Sequence, residues 1–366
     1  MYKEPVWDND RPLYEQIYEI LLNEIRKKNF KDRLPTEREL AERFQVSVIT
    51  VKQAISKLVH DKILYRRPRK GTFISKNAKL PYRKGTDDIC FAINSDIKAG
   101  LYDPYYYKIL ETIEKRLNEY SYHIVFSLLE EGTMQDSSML DRIKQSGFRA
   151  FLIAGDVKRE FVDFLKSNKL DPILIESNLR DEDLNIITVE NETGAYEMTS
   201  FLIRQGHKKI AYLGGRTVET SSNERFEGYK KALEDNKITF NPELVVFKGL
   251  HIDNGFEGMK ELLNRKVDFT AVFCVTDNVA LGAMNAIKAA GFEIPDNISV
   301  TGFDDIDITS HIVPKLTTMR IDRTRMGNLA VRKLLEQLGE IKEELPRKIL
   351  VKPELIVRDS SIPPKK

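Results

Sequence analysis

Residues 33–60 read RLPTERELAERFQVSVITVKQAISKLVH, and their spacing decides the first domain. Thr36 followed three positions later by Glu39 is a capping-box pattern, which predicts a helix start there with Leu40 and Phe44 as its apolar positions. A short break at Gln45-Val46 leads to Ser47, a natural N-cap for another helix reaching His60. That helix buries Val51, Ala54, Ile55, Leu58 and Val59. It turns Val48, Ile49, Lys52, Gln53 and Ser56 the other way.

Upstream, residues 13–28 place Leu13, Ile17, Ile20, Leu21 and Ile25 at helical spacing. Downstream, two β-type runs, Lys62–Arg66 and Gly71–Ser75, flank Arg67-Pro68-Arg69-Lys70 as a hairpin. Three helices and a basic hairpin predict a winged helix-turn-helix over residues 1–75, followed by a polar, basic linker, KNAKLPYRKGT, at 76–86. Such a motif sets the N-terminal end of its third helix against base edges in the major groove. Ser47, Val48, Ile49, Lys52 and Gln53 occupy that end. Lys52 reaches guanine acceptors or phosphate, Gln53 matches adenine, and Val48 suits a thymine methyl. Arg38 is placed for phosphate or base. Arg66, Arg67, Arg69 and Lys70 put four positive charges in five positions, which suits phosphate or the minor groove. A basic run is also what a solvated face looks like, and three-helix units also bind proteins, so charge alone does not decide the partner.

Residues 13–75 resemble the winged-helix domain of the GntR family of bacterial transcription factors. The matching stretches are 33–44, 45–59 and the wing ending KGTFIS at 70–75. The resemblance implies DNA contacts at Arg38, Thr50, Lys52 and Gly71. Two departures stand out. Val48 occupies the place of the family's usual arginine, with Lys52 for its second, and Arg69 replaces the first glycine of the wing. A guanine contact by a bidentate arginine therefore does not carry over to Val48, and a different operator is expected.

From Asp87 the pattern changes to short apolar runs alternating with amphipathic helices. The runs include Ile89–Asn94, Ala150–Ala154, Pro172–Glu176, Ile210–Gly214, Ala271–Val275 and Ser299–Phe303. This alternation predicts an α/β domain over 87–360 with parallel sheets covered by helices on both faces, in two lobes. Ligands in such folds sit beyond the carboxyl ends of strands. Tyr105, Tyr106 and Tyr107 open a helix after the first strand, where one ring can stack on a sugar face. Arg225 follows a Gly-Gly turn and a polar loop, and its fork suits paired oxygens. Asp277 follows the strand AVFCV; it is a candidate acceptor for vicinal hydroxyls, or simply a helix cap. Asp304-Asp305, on one extended segment, point to opposite sides. The tail SSIPPKK reads as loose.

These residues resemble the effector domain of the LacI/GalR family, related to periplasmic sugar-binding proteins. The matching stretches are 103–117, 206–215, 225–233, 276–305, 314–318 and 353–361. The resemblance implies that Arg225 and Asp277 grasp the ligand, that Tyr106 is the stacking aromatic and that His251 is a further contact. An insertion, DIKAGL at 96–101, separates the first strand from the tyrosines. A GntR-type head on a LacI-type body resembles the AraR-type arabinose repressors, which makes L-arabinose the first expected effector.

Composition agrees. Of 366 residues, 58 are Lys or Arg and 56 Asp or Glu, yet residues 1–86 carry a balance of +9 and the remainder −7. A basic unit on an acidic body suits contact with a polyanion at one end. No apolar run approaches the roughly 20 residues of a membrane span, no secretory signal opens the chain, and Cys90 and Cys274 read as buried free thiols, so a cytoplasmic protein is expected. Nucleophile-elbow, P-loop and dinucleotide motifs are absent, and the five histidines form no ligand cluster. No metal or other cofactor is expected, and no catalysis. His207 reads as structural. The expected function is a homodimeric, sugar-responsive transcriptional repressor that binds a double-stranded DNA operator. The alternative is a sugar-binding protein whose N-terminal unit docks to a protein partner.

Overall fold

The computed structural model describes residues 12–26, 29–30, 32–75, 88–94, 104–129, 143, 147–216 and 220–365. The expected linker at 76–86 and the expected insertion at 96–101 lie outside the described residues. The chain forms two compact units.

The smaller unit contains α1 (Leu13–Arg26), α2 (Glu37–Phe44), α3 (Val48–His60), β1 (Leu64–Arg67) and β2 (Gly71–Ile74). The capping box closes as its spacing requires: Glu39 N–H donates to Thr36 Oγ1 at 3.3 Å, and Thr36 N–H donates to Glu39 Oε2 at 2.6 Å. Gln45 ends α2 with a φ of 53°, and Ser47 Oγ accepts from Thr50 N at 3.1 Å to start α3. Ile17, Leu21, Leu40, Val51, Ala54, Ile55 and Leu58 meet in one core with no exposure at all, so the helical periodicity read from the sequence is the packing face. The hairpin turn sits one position later than expected. Arg67 pairs with Gly71, and Lys70 N–H donates to Arg67 O at 3.0 Å across Pro68-Arg69. Proline lacks an N–H and presets the turn, which leaves Arg67 in the strand.

The larger unit runs β3 (Asp88–Asn94), α4 (Pro104–Asn118), β4 (His123–Leu129), β5 (Ala150–Ala154), α5 (Arg159–Ser167), β6 (Ile173–Ile175) and β7 (Asn185–Val189) through its first lobe. The second lobe follows with α6 (Asn191–Arg204), β8 (Ile210–Gly214), α7 (Thr220–Asp235), β9 (Val245–Phe247), α8 (Ile252–Asn264), β10 (Ala271–Cys274), α9 (Asp277–Ala289) and β11 (Ser299–Thr301). The chain closes with β12 (Thr318–Arg320), α10 (Arg323–Gln337), β13 (Lys348–Val351) and β14 (Glu354–Ile356). One sheet has the order β13-β7-β6-β5-β3-β4 and the other β11-β10-β8-β9. All three pairings of the second sheet are parallel, with Ala271 opposite both Ile210 and Ser299. Every residue of β5 and of β8 is buried, as a parallel sheet covered on both faces demands.

β13 returns to the first sheet beside β7, while β12 and β14 form an antiparallel ribbon on the second lobe. The chain thus passes between the lobes three times. The C-terminal stretch is anchored, contrary to the loose tail expected. Ser360 Oγ donates to Val300 O at 2.6 Å and accepts from Thr317 N at 2.8 Å. His207 then ties down Ile362 O through Nε2 at 3.0 Å, with Thr270 Oγ1 2.8 Å from Nδ1. Burial holds the His207 imidazole below its ordinary value, which fits a neutral ring with a structural role. Cys90 and Cys274 are buried free thiols, and burial alone pushes Cys90 up to about 12.

Candidate nucleic-acid interface and effector site

In the smaller unit, Arg38, Ser47, Val48, Ile49, Lys52, Gln53 and the wing residues Arg66 to Lys70 are exposed, while Thr50 is half-buried. A groove of about 670 Å³ runs between the starts of α2 and α3 and the wing; Arg33, Arg38, Val48, Arg67 and Arg69 are among its lining residues. The charges in it are not equivalent. Arg66 donates to Glu37 at 2.9 Å, so it is tied to α2 rather than free for phosphate, which corrects the expectation of four equivalent wing charges. The Arg67 guanidinium rests against the Tyr65 and Phe73 rings, 5.4 and 5.3 Å from their centroids. Arg38, Lys52, Arg69 and Lys70 make no ion pair among the described residues. Ser47 and Thr50 engage each other, with 2.6 Å between hydroxyl oxygens.

Arg69 adopts a φ of 59°, and Gly71 a φ of 112°. The first is left-handed backbone that costs an L-residue roughly 1–2 kcal/mol. An arginine held there at the tip of a wing carries a charge at the expense of stability. Arg69→Gly is therefore expected to stabilise the smaller unit by about 1 kcal/mol while weakening binding to duplex DNA. Thermal melting and DNA titration of the same variant check the two opposite signs; a loss of both stability and affinity would contradict this account of Arg69.

In the larger unit Arg225 and Asp277 come together around Val275, Phe303 and Asp304, just beyond the carboxyl ends of β10 and β11. Arg225, on α7, is 4% exposed. Its Nε donates to Asn191 Oδ1 at 2.9 Å and its Nη1 to Val275 O at 2.7 Å, with Asp304 Oδ1 3.3 Å from Nη1. Its guanidinium lies 3.8 Å from the centroid of the Phe303 ring. Nη2 makes no bond among the described residues, so one edge of the fork remains available to a ligand. Asp277 is fully buried. Its Oδ1 accepts from Thr318 Oγ1 at 2.6 Å and its Oδ2 from Ile306 N at 2.9 Å. In this arrangement Asp277 holds the protein together. Thr276, not Asp277, caps α9, its hydroxyl accepting from Val279 N at 3.2 Å.

Burial, then the charge of Asp304, raise the Asp277 carboxyl well above its ordinary value. The folded protein therefore retains a proton that the unfolded chain releases. Its stabilising contribution is greatest below the unfolded value of about 3.9 and falls as pH rises towards the folded one. Asp277→Asn keeps an acceptor for Ile306 N and removes the ionisation. It is expected to flatten the decline of melting temperature as pH rises above about 4; an unchanged profile would contradict the assignment.

The three tyrosines diverge. Tyr105 is buried with its hydroxyl 3.7 Å from Met326 Sδ, Tyr106 is half-buried against it with ring centroids 5.2 Å apart, and Tyr107 is 56% exposed. Burial raises the Tyr105 phenol, and the charges of Glu176 and Asp304 raise it further. Glu176, which the sequence reading did not single out, follows β6 with a φ of 53°. Its Oε1 accepts from Thr188 Oγ1 at 2.9 Å and Val189 N at 2.8 Å. Burial pushes its carboxyl up against the opposing pull of Arg225. The rule that drew attention to Asp277, a carboxylate at the carboxyl end of a strand, applies equally to Glu176.

His251 precedes α8, its N–H donating to Asn254 Oδ1 at 3.2 Å. It lies near Thr276, whose hydroxyl donates to Leu250 O at 3.4 Å, but among the described residues it makes no hydrogen bond with Arg225 or Asp277. Asp304 and Asp305 do face different groups, but not as one extended segment. Both have positive φ, 116° and 53°, and Asp305 takes Arg320 Nε at 2.7 Å and Arg358 Nη2 at 2.6 Å. The lobes are clasped by Arg180, after β6, donating to Glu224 on α7 at 2.8 Å, and by Arg323, which donates to Asp305 O at 2.8 Å and Pro104 O at 3.4 Å. Among the described residues no group of acidic, histidine or cysteine side chains is arranged to hold a metal ion, and no helix is long and apolar enough to cross a membrane.

Residues 13–74 match the model of the bacterial regulatory proteins of the gntR family, and residues 199–361 match that of the periplasmic binding protein-like domain. The HTH-type transcriptional regulator RegA of Clostridium saccharobutylicum is 29% identical over 260 residues, 70% of this chain and 78% of its own length. The probable HTH-type transcriptional repressor ExuR of Bacillus subtilis is 35% identical over 205 residues, 56% of this chain and 61% of its own. Among solved structures, a sugar-binding transcriptional regulator of the LacI family from Escherichia coli, complexed with phosphate, superposes with a TM-score of 0.66 at 25% identity. That match covers 77% of this chain and all of the other. These relatives are regulators, not enzymes.

Proposed function

We propose, from the premise that the chain is a DNA-binding transcriptional regulator joining a gntR-family head to a periplasmic-binding-protein-like domain, that it represses sugar-utilisation genes and releases DNA when a small sugar binds. The first sugar to test is L-arabinose. The proposed effector-contacting set is Tyr106, Arg225, His251 and Asp277, together with Glu176. The observation that carries the reading is Arg225: a buried fork held by Asn191, Val275 O and Asp304, whose Nη2 makes no bond among the described residues, with Tyr106 half-buried on α4. That combination suits the hydroxyls and the apolar face of a pyranose. Each Asp277 oxygen already accepts one bond, from Thr318 and from Ile306 N, and keeps a second acceptor site for a ligand hydroxyl.

The head binds a double-stranded operator through Arg38, Ser47, Val48, Thr50, Lys52, Gln53, Arg67, Arg69, Lys70 and Gly71. Two heads on a homodimer read two half-sites, residues 76–86 linking each head to its effector domain. A differential affinity of the two lobe arrangements for DNA of about 1–3 kcal/mol corresponds to roughly 5–150-fold release. Calorimetric titration of the full-length protein with L-arabinose and a panel of other sugars tests the effector half. One sugar binding the wild type, and at least tenfold more weakly the Arg225→Lys variant, is the expected result. No binding of any sugar at millimolar concentration would sink it.

A further inference from the structure

Val48 and Ile49, the first two residues of α3, are 42% and 71% exposed. Two consecutive large aliphatic side chains uncovered at a helix N-terminus are costly unless something covers them. Among the described residues of their own unit nothing does so: the core takes Val51, Ala54, Ile55 and Leu58 from the opposite face of the same helix. What surrounds the pair is positive. Arg38 and Lys52 flank it without ion pairs among the described residues, and Val48 lines the same groove as Arg67 and Arg69. An apolar protein partner would find these cations unmatched, whereas a polyanion matches them.

We infer that Val48 and Ile49 read thymine methyl groups in the major groove, so that the half-site is specified at those positions by apolar contact rather than by an arginine fork on guanine. The inference rests on the DNA-binding reading above. The C5-methyl of thymine is the one apolar group that a base pair presents in the major groove. Val48 and Ile49 carry no donor or acceptor in their side chains, so they cannot distinguish bases by hydrogen bonding. Ser47 and Thr50 do not supply that reading, since they engage each other. Hydrogen-bonded readout is left to Lys52 and Gln53, about one turn further along the helix.

The test uses the full-length protein. A duplex selected from a random pool is compared with the same duplex carrying deoxyuridine for each thymine in turn, which removes only the methyl group. Each methyl covered by Val48 or Ile49 is expected to contribute about fourfold to affinity, so two in one half-site give roughly 15-fold. Deoxyuridine elsewhere in the duplex is expected to change nothing. In the Val48→Ala/Ile49→Ala variant, which alters only exposed side chains, the sensitivity at those positions is expected to disappear. A selected duplex bound equally well after every thymine is replaced would overturn the inference. Failure to select any duplex would instead overturn the DNA-binding reading on which it rests.

Discussion

Arg225→Ala is expected to destabilise the larger unit by about 3–5 kcal/mol, the cost of leaving a buried charge without its partner. Asp304 lies 3.3 Å from the guanidinium, with its side chain 11% exposed. Removing the arginine also strips donors from Asn191 Oδ1 and Val275 O. For a unit of this size the melting temperature is expected to fall on the order of 10 °C. Arg225→Lys retains a positive charge near Asp304 but cannot place two donors in one plane. It is expected to keep most of the stability while losing the response to effector. The two variants separate framework from ligand contact: a lysine variant that melts like the wild type yet still answers to sugar at wild-type concentration would remove Arg225 from the effector set.

The second large effect is that of salt on DNA binding. Arg38, Lys52, Arg69 and Lys70 are four exposed cations of the reading face that make neither an ion pair nor a ring contact among the described residues. On the two heads of the proposed homodimer they amount to about eight phosphate or base contacts, which gives a slope of log affinity on log salt near −7. Between 50 and 200 mM salt the affinity is then expected to fall by about 10⁴-fold. Lys52→Ala is expected to make the slope shallower by about 1 per head. Arg66→Ala is expected to leave the slope nearly unchanged, because Arg66 is held by Glu37. Equal effects of the two substitutions would contradict the division of the wing charges.

The head was readable in the sequence because its signals are local. A capping box spans four residues, the periodicity of α3 spans thirteen, and both appear in the structure where the spacing placed them. What escaped the reading depends on distant partners. The Arg66–Glu37 bond joins positions 29 apart. The tail looked loose because serines and prolines favour turns, yet Ser360 finds Val300 and Thr317 at separations of 60 and 43 residues. Asp304 and Asp305 looked extended, and their left-handed backbone appears only once Arg225, Arg320 and Arg358 surround them. Glu176 was legible by the rule applied to Asp277, but a glutamate at the end of an apolar run carries no local mark that distinguishes it from a solvated one.

The most direct test of the central claim is the anisotropy of labelled DNA from upstream of the protein's own gene, titrated with the full-length protein with and without L-arabinose and a panel of other sugars. Tight, salt-sensitive binding that one sugar reverses, and that the same sugar fails to reverse in Arg225→Lys, is the result this account predicts. Tight binding that no sugar reverses would contradict the claim that a sugar releases the protein from DNA.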